Sequence, residues 1–234
     1  MSPSVNFLEM IGGGRVPVEL IGTWIVMGIL LVFAFAARRA LAAAPDPSIP
    51  DEGFSLRSMA EVIIEQLDNF VHGVMETKGH RVFVPYLGSL FLFILVANLF
   101  GLIPGMEPPT SFSNLTFALG AISFCYFIYH GIKAQRLGYV KNELVGPLWL
   151  LAPLMLPINL ADNLFRPFSL GVRLYANMFA DHKVLSIFTG LTRLVVPIAF
   201  YTLGAIVCVI QALIFMVLTM SYVRLARGHG EEHH

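Results

Sequence analysis

Six polar residues, Asn159, Asp162, Arg166, Ser169, Arg173 and Asn177, stand in a segment that is otherwise largely Leu, Ile, Phe, Met and Val. On a helical wheel all six fall within about 40° of Arg173, at about 100° per residue. The stripe is roughly 27 Å long at about 1.5 Å per residue, close to the thickness of a bilayer's hydrocarbon core. Polar groups in such a row face a partner or water, not lipid. Asp162 and Arg166 are spaced i,i+4 and can neutralise each other. Arg173 has no acid three or four residues away on either side. An arginine at that depth costs about 2.5–3.5 kcal/mol on insertion scales. Its carboxylate partner is therefore expected on another span or another chain, although no acid elsewhere in the apolar runs lies at comparable depth. The competing reading is an arginine that snorkels to the interface, but Arg173 sits well inside the apolar run. Arginine keeps its proton in proteins, so Arg173 cannot relay one. It can hold a positive potential that blocks protons and strips one from a passing carboxylic acid.

Two further groups flank this stripe. His182 lies about 180° around the helix from Arg173 and about 13 Å further along it. Its neighbours are Asp181 and Lys183. An imidazole exchanges protons near neutral pH, so His182 is either part of an access path or a solvated group near a helix end. Gln211 stands in the last apolar run, with Gly204 seven residues earlier on nearly the same face. Its amide either hydrogen-bonds across to the polar stripe or serves as a plain helix-packing group. The terminal HGEEHH, residues 229–234, reads as a solvated tail and not as a metal site. Nothing else in the chain has the spacing of a catalytic, metal or cofactor site.

The elements that must position these residues are membrane helices. Hydrophobic residues make up 56% of the chain and charged ones 13%, where a soluble domain carries roughly 25% charged. The net charge of zero gives no basic face for nucleic acid. Cys125 and Cys208 both lie within apolar runs, which argues against a disulfide framework. The first apolar run begins only after Glu19, and no small-residue cleavage site follows a short apolar stretch, so no removable signal peptide is expected.

Spans are expected over 16–37, closed by Arg38-Arg39, and over 82–103, 115–131, 147–190 and 194–226. The fourth would be roughly 65 Å long if helical throughout, twice a bilayer core, so it must be tilted, bent or interrupted. Pro153, Pro157 and Pro167 offer bending points. Residues 44–53 form a Pro-rich break. Between 54 and 78, Leu56, Met59, Ile63, Leu67, Phe70 and Val74 recur every three or four residues among Glu61, Glu65, Asp68 and His72. That is an amphipathic helix, lying on a membrane surface or packed on other spans. The expected fold is all-α and polytopic: five membrane-embedded helical segments plus this surface helix. The N-terminal region would cover 1–81 and the membrane domain 82–234. With the N-terminus outside, ten of the fifteen Lys and Arg residues fall inside. Arg15, Lys183 and Arg193 fall outside, and Arg166 and Arg173 lie within the fourth span. This bias predicts an outside N-terminus and an inside C-terminus.

Three stretches carry a family resemblance. RPFSLGVRLYANMFADH, residues 166–182, resembles the signature of subunit a of F-type ATP synthases. QALIFMVLTMSYV, from Gln211, resembles that family's last helix, and SLFLFILVANLFGLIPG, residues 89–105, an earlier span. The likeness covers about 83–226, while residues 1–80 match in layout only. It implies the last two helices running long and tilted as a hairpin along a c-ring. Arg173 would then be the essential arginine facing the carboxylate of the rotating ring. Asn177, His182 and Gln211 match positions lining an outer half-channel, and Asn159, Asp162 and Ser169 match the inner one. The chain departs from some bacterial members in carrying His182 where they have an acid and Gly204 where they have a histidine. Asn159 also replaces an acid common at the inner mouth, whose charge Asp162 would take over. The implied partners are the c-ring subunits, the peripheral-stalk subunit b, the rest of the synthase and the lipid bilayer, in a bacterial inner membrane. No bond chemistry, cofactor or nucleic acid is implied. Two other readings are a secondary ion-coupled transporter using Asp162 and Arg173 for substrate, for which no inverted repeat is apparent, and a purely structural assembly subunit.

Overall fold

The computed structural model of the chain describes residues 17–42, 55–75, 80–103, 105–135, 152–191 and 195–228. Among them the chain is all-helical, with six α-helices, two short 3-10 helices and no strand. The α-helices are α1 (Val18–Ala42), α2 (Leu56–Met75), α3 (Val84–Phe100), α4 (Ser113–Gln135), α5 (Ala152–Leu191) and α6 (Val195–Gly228). They form two compact units, divided between Pro109 and Thr110. The Pro-rich break and the HGEEHH tail lie outside the described residues.

In the first unit, α1 packs on α3 through Ile21, Val26, Ala97 and Phe100. Glu19 in its first turn and Arg39 in its last suit the helix dipole. For that reason α1 runs through Arg38-Arg39 to Ala42, whereas the sequence pattern closes the span at the arginine pair. Arginine is a good helix former, and its charge is favourable at a C-terminus. The amphipathic α2 buries Leu67, Val71 and Met75 and packs on both α1 and α3. Its other apolar edge, with Met59 and Val62, stays exposed. Arg57 Nε donates to Glu61 Oε1 at 2.6 Å one turn on. Helix α3 stops at Phe100, short of the expected 103, because the Gly101 amide turns back to the carbonyls of Asn98 and Leu99. A Cβ at Gly101 would lie 2.4 Å from Pro108 Cβ, so only glycine lets the following loop fold back this closely.

In the second unit α4 packs against both α5 and α6. A Cβ on Gly171 would sit 3.0 Å from Phe117 Cδ1 and 3.1 Å from the Thr116 carbonyl, so glycine there lets α5 approach α4. Helix α5 is continuous over its 40 residues, roughly 60 Å. Interruption of the fourth segment is thereby excluded over 152–191. Residues 147–151 lie outside the described part. Among the described residues, side chains of α5 and α6 meet at several levels. Arg166 Cζ lies 5.6 Å over the Tyr222 ring, Asn177 bonds Gln211, and Phe188 stacks on Phe200 at 4.5 Å. Each step up α5 is matched by an equal step down α6, so residues of the two helices meet in reverse order.

Helix α1, residues Ser113–Lys133 of α4 and Ile198–Leu225 of α6 are long and apolar enough to cross a membrane. Helix α3 is apolar but only 17 residues long. Large side chains such as Trp24, Leu31, Val32 and Phe35 on α1 are exposed, which a water-soluble surface of this extent would not tolerate. The chain is a multi-pass membrane protein.

Candidate functional site

Helix α5 is two-faced around Arg173. Leu170, Gly171, Leu174 and Met178 are buried and occupy one arc, roughly 60° to 160° from Arg173. Ser169, Arg173, Ala176, Asn177 and Ala180 are exposed and fall between about −60° and +40°. Over residues 169–180 the arginine therefore rises from a strip whose other members are small or polar, and exposed Val184 and Ile187 continue that strip further along α5. Among the described residues Arg173 makes no hydrogen bond, ion pair or ring contact. Small residues on a helix face let another helix come close, so the strip suits a partner helix bearing the missing carboxylate.

At the edge of this strip, Asn177 Nδ2 donates to Gln211 Oε1 at 2.7 Å. Gln211 is 3% exposed. Of the two roles open to Gln211 in the sequence, the hydrogen bond across to the polar stripe is the one formed, and Asn177 is its partner. Each amide keeps further donor and acceptor capacity. Ser169 shares the exposed strip with Arg173 but lies a turn below it. His182 sits on the far side of α5 from Arg173, half-buried, with Nδ1 buried. The structure thus brings Asn177 and Gln211 together beside Arg173 and keeps His182 apart. Asn159 and Asp162 lie on α5, but their side chains fall outside the described residues. Arg166, the sequence partner of Asp162, spreads its guanidinium over Tyr222 of α6, a cation–π contact that shelters the charge.

One acid escapes the sequence pattern. Along the chain Asp181 is merely a neighbour of His182, yet its Oδ2 is buried and has no hydrogen-bond partner among the described residues. Its angle, about 80° from Arg173 and about 40° from Asn177, holds the signal. What gives that angle meaning is α6 packed alongside.

Comparison with known proteins bears on this arrangement. The family described as ATP synthase A chain matches residues 20–224. The chain is 40% identical to the ATP synthase subunit a of Bdellovibrio bacteriovorus over 195 residues, 83% of this chain and 84% of that protein. It is 39% identical over 212 residues to ATP synthase subunit a 1 of Pelobacter propionicus, and equally to ATP synthase subunit a of Geobacter sulfurreducens. Each of these alignments covers 91% of this chain and 87% of the relative. With a helical, multi-pass fold and matches over nearly its whole length, the chain belongs to the ATP synthase subunit a family.

Proposed function

We propose that this chain is the ion-conducting stator of a rotary ATP synthase, carrying protons through two offset half-channels to and from the carboxylates of a c-ring. The single observation that carries this reading is Arg173, exposed on a strip of small residues with no counter-charge among the described residues. A transporter would be expected to close such a charge inside its own fold. An assembly subunit would not need the Asn177–Gln211 amide pair beside it. A proton arriving from outside, past His182, Gln211 and Asn177, neutralises a ring carboxylate, and the neutral acid can enter lipid. After nearly a full turn the acid meets the inner path at Ser169, Asp162 and Asn159, where Arg173 favours its ionisation. Each charge crossing yields about 2.3 kcal/mol per 100 mV. The subunit itself makes and breaks no bonds, so catalysis belongs to the whole complex.

In this reading α1, α3, α4, α5 and α6 are the five membrane-embedded segments and α2 lies at the surface. Residues 1–81 form the N-terminal region and 82–234 the conducting domain. Helices α5 and α6 form a tilted hairpin along the ring, which the reversed order of their contacts supports. The peripheral-stalk subunit b and the remaining synthase subunits are the other partners, in a bacterial inner membrane. Mild-detergent purification followed by mass spectrometry tests the assignment. A ring of small subunits bearing one membrane carboxylate each should co-purify, and Ser169→Cys should cross-link to a cysteine beside that carboxylate. A chain that purifies alone and conducts a solute would overturn it.

The orientation has its own test. In a cysteine-free background, Met106→Cys should react with an impermeant thiol reagent from outside, and Gly228→Cys only from inside. Labelling of both from one side would rule out the five-segment arrangement.

A further inference from the structure

We propose that Asp181 is a proton-carrying carboxylate of the outer path, handing protons to the water held around the Asn177–Gln211 pair. This rests on the function proposed above and adds to it a residue so far without a role. Asp181 lies one turn outward from Asn177 and about 40° further round α5. That places it on the arc of α5 that packs against neighbouring helices, beyond the edge of the exposed strip carrying Arg173. Asp181 is half-buried as a whole; among the described residues its buried Oδ2 has no hydrogen-bond partner and it makes no ion pair. From α6, Cys208 stands within electrostatic reach of its carboxylate. The contact register between the helices agrees, since Asn177 meets Gln211 one turn inward of Asp181 and Cys208.

A carboxylate oxygen removed from solvent with no donor among the described residues is costly, and a water or a proton relieves it. Those are the two states between which a proton carrier alternates. In the outward-to-inward direction a proton from outside water binds the Asp181 carboxylate and gives the neutral acid. The acid then releases it to water at the amide pair, whose unused donors and acceptors can hold that water. The ring carboxylate takes the proton, and Asp181 returns to its anion. Asp181, Asn177 and Arg173 descend α5 at about 80°, 40° and 0°, a shallow spiral from the α5–α6 interface to the ring-facing strip. His182 lies off this line by another 100° or so, on the side away from Arg173.

The test uses the intact complex in inverted membrane vesicles, with rates normalised to assembled complex. Asp181→Asn keeps size and hydrogen-bonding capacity but cannot bind a proton. It should lower ATP-driven pumping, and passive conductance after removal of the catalytic head, by about tenfold or more, within the range a positioned acid–base group contributes. Asp181→Glu should retain most of both. Asp181→Asn combined with Cys208→Asp, which moves the carboxylate to the facing helix, should regain conductance. Wild-type pumping and conductance in Asp181→Asn would overturn the proposal. So would equal loss of assembled complex in the Asn and Glu variants with normal flux per remaining complex. The stator reading fails separately, through coupled pumping by an Arg173 variant.

Discussion

Arg173→Ala should abolish ATP-driven proton pumping while leaving passive proton conductance once the catalytic head is removed. The expectation follows from what arginine cannot do. Its guanidinium stays protonated, so it is not a relay that another titratable group might replace. In the proposed mechanism its contribution is a fixed positive potential on the strip that would face the ring. In that mechanism a proton moving directly between the half-channels would have to cross this potential, and a ring acid passing it would be pulled towards ionisation. Removing the charge opens the short circuit and removes the pull, so gradient and rotation uncouple. The side chain is exposed and makes no hydrogen bond, ion pair or ring contact with any described residue. Its loss should therefore cost the fold little, and the insertion penalty of about 2.5–3.5 kcal/mol disappears with it.

Arg173→Lys should also fail to couple. Lysine keeps a charge but lacks the planar fork that engages a carboxylate with two bonds, and its pKa falls readily where water is scarce. Both variants can be followed in vesicles under an imposed potential, with internal pH reported by a dye. Near-normal coupled pumping by Arg173→Ala would remove the basis of the mechanism.

The Arg173 stripe is legible in the sequence because a helix imposes a period of about 3.6 residues. Six polar side chains at matching angles in an apolar run mark one face of one helix. The same periodicity exposes α2, but not which of its edges is buried. Leu67, Val71 and Met75 are covered by α1 and α3, while Met59 and Val62 are not. That choice is made by neighbours, which a single helix cannot reveal. The end of α1 is misjudged when charge is treated as a stop signal, because Arg38 and Arg39 continue a helix whose C-terminus favours them. Gln211 can be expected to reach the stripe, but its partner among six candidates, Asn177, emerges only from the register of α6 against α5. Asp181 is inconspicuous in the sequence, standing beside His182 and Lys183 near the end of the stripe. Its buried oxygen shows only in the folded chain.

The remaining large effect concerns the strip itself. Ala176→Trp should abolish pumping, by about tenfold or more, with the chain still inserted and folded. Ala176 and Ala180 flank Arg173 and are exposed, at about −60° and −20° on the α5 wheel. Helices packed through small residues approach closely, with axes about 8–10 Å apart. An indole placed there cannot be accommodated without separating the partners, and overpacking of this kind costs about 1–3 kcal/mol or more. A tenfold loss corresponds to about 1.4 kcal/mol, the lower part of that range. The effect should vanish where no partner comes close, so Val32→Trp, on the exposed face of α1, serves as the control. The measurement is pumping per inserted chain, together with recovery of the small ring subunit on purification. The two variants separate ring contact from general disturbance of a membrane helix. If Ala176→Trp pumps as well as Val32→Trp and retains the ring, the strip around Arg173 faces lipid, and the carboxylate that answers the arginine must approach from another side.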